Sequence, residues 1–152
     1  IWSKDNKDTI IGRTSWNINY GEGGRCLTQV MIESLKKENA RMAVDNIFTI
    51  ASAQETAENI YKTISKKYTG FMHLASPTAI SRYEIAQILI DNYESEYLSC
   101  TPCRFSELSI SRNRSRMNVL DTTLSIKTIE PKYSDPKLII AKKVVYLNNQ
   151  NL

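Results

Sequence analysis

Ile10-Ile11-Gly12-Arg13-Thr14-Ser15-Trp16 decides how the rest of this chain is read. Two apolar β-branched residues followed by polar ones and a large ring predict a short buried strand that ends at a polar rim. In an open α/β sheet, the carboxyl edge of the strands is where ligands are met. Such a sheet needs earlier strands, and only nine residues precede Ile10. The expectation is therefore the second half of a larger enzyme.

Outward from that strand, residues 17–24 are polar and Gly-rich, with Gly21-Glu22-Gly23-Gly24 predicting a loop over the substrate side. Leu27, Val30, Met31 and Leu35 recur at helical spacing and predict a helix over 26–38, with Lys36 and Lys37 in its last turn. Residues 41–48 read as a strand, Asp45-Asn46 as its structural close. Ser52 with Glu55 predicts a capped helix over 53–66, whose apolar face would be Ala57, Ile60, Tyr61 and Ile64. A compact strand over 70–75 follows, with His73 as a structural histidine. Ser81 and Glu84 repeat the capping pattern for a helix running to Tyr93. A short strand is expected within 98–105, then a basic loop over 109–121 carrying Arg112, Arg114 and Arg116. Asp121 should cap a short helix. Pro136 suits the first turn of a final helix over 136–147, with residues 148–152 frayed. Alternating strands and helices in 152 residues make one α/β domain or fragment.

Composition excludes several classes. Hydrophobic residues form 41% of the chain and charged residues 24%, as in ordinary globular domains. No apolar run approaches the ~20 residues that span a bilayer, so a cytoplasmic location is expected. The opening Ile1-Trp2-Ser3-Lys4-Asp5-Asn6-Lys7-Asp8 lacks a signal-peptide core. The net charge of +4 is mild. Nucleic acid binding through Arg104, Arg112, Arg114 and Arg116 is the weaker reading, since only Phe105 could stack on a base. Cys26, Cys100 and Cys103 cannot all pair. Cys100-Thr101-Pro102-Cys103 lacks both further zinc ligands and the helix that a redox dithiol opens. Ordinary reduced cysteines are expected, and no metal.

Four stretches in order resemble the C-terminal half of dTDP-4-dehydrorhamnose reductases, in the extended short-chain dehydrogenase/reductase superfamily. Arg13-Thr14-Ser15-Trp16 resembles the family's R-T-S-W at the end of a late strand. Val44-Asp45-Asn46, continuing to Glu55-Thr56-Ala57, resembles V-D-D-Q and the start of the helix after it. His73-Leu74-Ala75 with Ser81-x-Tyr83-Glu84-Ile85-Ala86 resembles H-L-A followed by S-x-Y-E-F-A. Arg114-Ser115-Arg116-Met117 and Leu120-Asp121-Thr122 resemble R-P-x-N and L-D-T. The likeness runs from about Ile10 to Leu124.

That resemblance implies late strands of a Rossmann-type sheet plus a small mixed α/β substrate-binding lobe, with the N-terminal Rossmann portion absent. It implies a nucleotide-diphosphate sugar as ligand. NADPH or NADH would serve the full-length enzyme, with no cofactor on this chain alone. Arg114 would face the substrate diphosphate, with Trp16, Arg13, Ser15 and Arg116 beside it. No catalytic residue is expected here. The one Y-x-x-x-K match, Tyr133-Ser134-Asp135-Pro136-Lys137, is interrupted by a proline that prevents one helical turn from joining the pair. Two departures stand out: the family's P-T pair falls at Ile50-Ala51, and Ser115 and Met117 replace the proline and asparagine of R-P-x-N. They motivate the alternative of a non-catalytic regulatory or scaffold subunit. A lobe cut from its partner should also expose apolar surface and self-associate as a homo-oligomer.

Overall fold

A computed structural model describes residues 8–21, 26–94 and 97–150. The expected opening strand is two strands. β1 (Ile10–Arg13) pairs in parallel with β5 (Gly70–His73), while β2 (Trp16–Ile18) pairs in parallel with β4 (Ile47–Ser52). The chain changes sheets at Thr14-Ser15, where the Ser15 hydroxyl donates to the Thr49 carbonyl at 2.9 Å. Gly12 leaves room for the Leu74 side chain beyond β5, since a Cβ there would sit a tight 3.1 Å from Leu74 Cδ1. Gly70 enters β5 at φ +102°, a backbone conformation that side-chain-bearing residues rarely adopt.

The expected strand over 41–48 is also divided. β3 (Arg41–Ala43) ends, a turn carries Asp45-Asn46, and β4 resumes through Ser52. The turn is held from outside: Asp45 Oδ1 accepts from Phe105 N at 2.6 Å, and Asn46 Nδ2 donates to Arg116 O at 2.9 Å. The Asp45-Asn46 pair is thus structural, as its place at a strand end implied. β3 pairs in parallel with β7 (Thr101–Cys103), the only strand formed within 98–105. β4 is the organising strand. It pairs antiparallel with β6 (Ala79–Ser81) and parallel with β8 (Met117–Asn118), both opposite Ile47 and Phe48 and therefore on opposite edges. The basic loop over 109–121 is more ordered than expected, with 3-10 turns at Phe105–Glu107 and Ser109–Arg112 before β8.

The helices follow their sequence signals closely. α1 (Leu27–Leu35) ends before Lys36, which is its C-cap. Both capping boxes form: Ser52 Oγ accepts from Glu55 N to open α2 (Ala53–Ser65), and Ser81 Oγ accepts from Glu84 N to open α3 (Arg82–Asn92). Asp121 Oδ1 accepts from Thr123 N at 2.9 Å at the start of α4 (Thr123–Ile129). α5 runs Pro136–Gln150, beyond the expected 147, because Asn148 bonds Asn92 O and Glu94 N. Its buried Ile139, Ile140 and Val144 join Ile18, Met31, Leu35, Phe48, Ile50, Ile85 and Leu89 in the main core between β4 and α1, α3 and α5.

One expectation is reversed. α2 buries Thr56, Asn59 and Thr63, while Ile60, Tyr61 and Ile64 of the expected apolar face are 42%, 72% and 57% exposed. The buried side is polar but satisfied: Thr56 Oγ1 donates to Asn17 Oδ1 at 2.7 Å, and Thr63 Oγ1 to Asn59 O at 2.7 Å. Hydrogen bonds to the neighbouring strand and to the helix's own turn make that burial tolerable. Phe71, on β5, is exposed as well. Gly21 apart, the expected Gly-rich loop lies outside the described residues, as do the opening heptapeptide and residues 151 and 152.

Candidate functional site

Five parts of the fold enclose a cavity of about 780 Å³. The β1–β2 junction contributes Thr14, Ser15 and Trp16. β4 and the turn before it contribute Phe48 and Asn46. α1 closes one side with Leu27 and Val30, and α3 brings Arg82 from its first residue. The segment after β7 completes the wall with Phe105, Ile110, Asn113, Arg114, Ser115, Asn118 and Leu120. The lining thus holds two guanidinium groups and no carboxylate among the described residues.

Three of the five expected site residues meet here: Ser15, Trp16 and Arg114. The indole of Trp16 is tilted 48° to the Phe48 ring at 5.9 Å between centroids, an aromatic wall of the edge-to-face kind. Ser15 directs its proton at Thr49 O, so toward a ligand it offers only lone pairs. Arg13 and Arg116 lie outside the lining. Arg13 is exposed on β1 opposite His73. Arg116 turns its guanidinium to Asp45 at 3.7 Å and its carbonyl to Asn46 and Ile47 N. His73 and Phe105 have structural roles. His73 Nδ1 lies 2.8 Å from Asp121 O, and Phe105 is 4% exposed, so it cannot stack on a nucleic-acid base.

Reading the sequence missed Arg82 and understated Asn46. Asn46, 4% exposed, accepts from Arg82 Nε at 2.9 Å through Oδ1 while its amide holds the Arg116 carbonyl. Arg82 Cζ stands 5.9 Å from the Phe48 centroid, a cation–π placement. Burial, and then the charge of Arg114, push the Arg82 pKa down from its ordinary value. One signal was available in the sequence. A cation directly after the N-cap Ser81 opposes the helix dipole, so it invites a reason outside the helix.

The departures from the family's motifs fall differently than their sequence positions suggest. Ile50 and Ala51 are 0% and 3% exposed inside β4, away from the cavity. Met117 also points elsewhere. The amide side chains of Asn113 and Asn118 reach the lining instead, with Asn118 Nδ2 also donating to Ser115 O at 3.3 Å.

Among the described residues, none of Gly12, Gly21 and Gly70 stands directly before a helix, where backbone must approach a pyrophosphate. Tyr133 is no proton donor of the reductase type. Burial pushes its hydroxyl up to about 12, opposite to what an adjacent ammonium does and against a smaller lowering by the Asn59 side chain. Cys100 packs on the main core and Cys103 on a separate cluster with Ala43 and Phe105, each thiol pushed up by burial. Among the described residues no group of His, Cys, Asp and Glu is arranged for a metal, and no helix is long and apolar enough to cross a membrane.

Comparison with known proteins places this geometry. The family described as RmlD substrate binding domain matches residues 2–137. No curated protein sequence matches the chain. Among solved structures, the dTDP-4-dehydrorhamnose reductase of Bacillus anthracis in complex with NADP is similar over 90% of this chain and 48% of its own, with 18% identity and a TM-score of 0.72. The dTDP-4-dehydrorhamnose reductase of Yersinia enterocolitica is 26% identical over 90% of this chain and 49% of its own, TM-score 0.66. MoeE5 in complex with UDP-glucuronic acid and NAD shares 10% identity over 94% of this chain and 48% of its own, at a TM-score of 0.71. The chain therefore spans about half the length of the structures it matches. With its mixed sheets, its R-T-S-W junction and its family match over most of its length, the chain belongs to the RmlD substrate binding domain family.

Proposed function

We propose that this chain is the nucleotide-sugar-gripping lobe of an NAD(P)-dependent reductase of the dTDP-4-dehydrorhamnose reductase type, working in deoxysugar synthesis in the cytoplasm. The observation that carries this reading is the cavity itself: Arg114 stands near an aromatic wall of Trp16 and Phe48, with side-chain amides around it and no carboxylate. Guanidinium groups suit phosphate oxygens, and amides and rings suit sugar hydroxyls and bases. The solved relatives named above support it through their own ligands, UDP-glucuronic acid with NAD in one and NADP in another.

The cofactor, NADPH or NADH, would lie on a Rossmann domain joined to this lobe. Two features support such a neighbour. β1 pairs only with β5 among the described residues, although parallel sheets are normally covered and extended. The exposed Ile60, Tyr61 and Ile64 of α2, and Phe71 of β5, also offer apolar surface for it. The lobe alone is expected to be inactive.

Saturation-transfer NMR with dTDP- and UDP-linked deoxysugars tests the reading, with transfer expected to the nucleotide and sugar protons. Silence at millimolar ligand, for this chain and for a chain carrying the Rossmann domain, would refute it. The scaffold alternative rested on the changed motif positions. It loses force at Ile50, Ala51 and Met117, which do not line the cavity, and keeps it at Ser115, which does.

A further inference from the structure

We infer that Arg82 is the anchored half of a two-arginine clamp for a diphosphate, with Arg114 as its other half. This deepens the nucleotide-sugar reading of the cavity and rests on it. Arg82 occupies the unspecified position of the S-x-Y-E stretch, so no motif pointed to it. Its Nε is committed to Asn46 Oδ1 at 2.9 Å, and the Phe48 ring lies 5.9 Å from Cζ. Those two contacts orient the guanidinium plane. The four N–H bonds of its terminal nitrogens have no acceptor among the described residues, although the side chain is half-buried.

Arg114 lines the same cavity from a different element, the loop leading to β8, and pairs with no carboxylate among the described residues. The contrast with its neighbours is informative. Arg116, two residues on, is neutralised by Asp45, and Arg41 is paired with Glu107. Arg82 and Arg114 line one cavity within reach of each other's charge, and neither pairs with a carboxylate among the described residues. Burial and mutual repulsion both press against the charge on Arg82, which an unoccupied structural ion would not favour. A ligand bearing two adjacent negative groups removes the conflict. Each guanidinium can take two oxygens of one phosphate, and a bridged diphosphate presents such pairs side by side. A monophosphate has three terminal oxygens for the two forks and a carboxylate only two, so neither gives each guanidinium its own oxygen pair.

The experiment titrates the full chain by calorimetry with inorganic diphosphate, thymidine diphosphate and thymidine monophosphate. The variants are Arg82→Ala, Arg82→Lys and, as a basic-loop control outside the cavity, Arg112→Ala. Arg82→Ala is expected to weaken diphosphate binding about ten- to a hundredfold and to flatten its salt dependence. Arg82→Lys keeps the charge and stem but loses the fork, so an intermediate loss is expected; it also guards against a folding failure of the alanine variant. Arg112→Ala should stay within about twofold of the original. If both Arg82 variants bind thymidine diphosphate as tightly as the original, the clamp is wrong while the nucleotide-sugar reading stands. If inorganic diphosphate binds through Arg82 but no nucleotide sugar shows NMR contact, the clamp stands and that reading fails. If the original chain binds none of the probes at millimolar concentration, both fall.

Discussion

Arg82 Nε and Asn46 Oδ1 are joined at 2.9 Å, and through the same amide group Asn46 holds the backbone of the arginine loop at Arg116 O. One buried side chain therefore sets both walls of the cavity. The turn that carries it is braced in turn by Asp45, which accepts from Phe105 N.

Asn46→Leu should therefore be costly. It strands the Arg82 Nε without a partner in a half-buried place and leaves the Arg116 carbonyl to Ile47 N alone, at about 1–3 kcal/mol in total. Urea unfolding measures the loss. A change below about 0.5 kcal/mol would show that water replaces these bonds freely.

Arg114→Ala carries the opposite sign of risk. Ligand-free protein should keep its Tm or gain slightly, within about 0.5 kcal/mol, because one of two repelling cations is gone. The Tm rise that thymidine diphosphate induces in the original chain should shrink in the variant. A marked drop in ligand-free Tm would mean that Arg114 is a structural residue.

The two capping boxes predict an acid-sensitive stability. Ser52→Ala and Ser81→Ala should each cost about 1 kcal/mol. Burial raises the Glu55 pKa, but hydrogen bonds from Ser134 and Ser52 outweigh it and hold the carboxyl below 4.5. Glu84 is held below 4.5 first by the Ser81 backbone bond. A carboxylate whose folded pKa is depressed stabilises above its unfolded value and loses that contribution as pH falls through the folded one. Chemical denaturation should thus show stability falling below about pH 4.5, less steeply in Glu55→Gln. Equal slopes in the two proteins would contradict the assignment.

Tyr133→Phe removes a buried hydroxyl that forms no well-aligned hydrogen bond, its polar neighbours being Asn59 and Glu55. Its effect on stability should lie near zero or be favourable, by up to about 1 kcal/mol. Strong destabilisation would reveal a bond that the geometry does not contain.

Tyr61→Glu with Ile64→Lys places charges on the exposed side of α2. Sedimentation velocity should show less self-association at high concentration, with Tm unchanged because neither side chain is packed. An unaltered association profile would move the sticky surface elsewhere, to Phe71 or beyond.

Local signals in the chain account for much of this molecule. The Ser52–Glu55 and Ser81–Glu84 boxes act across three residues, and both helices begin where those residues stand. Pro136 opens the last helix for the same reason, since a first turn has no use for its missing N–H. The compact apolar run at 70–75 became a strand over 70–73, with Met72 buried and Phe71 exposed. The motif likeness rested on such short stretches and pointed to the right family.

What the one-dimensional string left open are choices made by distant partners. Periodicity marked Ile60, Tyr61 and Ile64 as the inward face of α2, yet Thr56 found Asn17 and Thr63 found Met72, so the helix turned its polar side in. Asn17 and Ile18 looked like loop because their pairing strand lies more than thirty residues away at Ala51 and Ser52. The family likeness ranked Arg114 above Arg116, but only the fold supplied a physical difference, with Asp45 engaging Arg116. Arg82 gained meaning only when Asn46 and Phe48 were folded beneath it. Backbone propensity and capping are settled within a turn or two of chain, whereas the balance of charge in a cavity depends on which remote side chains the fold brings within a few ångströms.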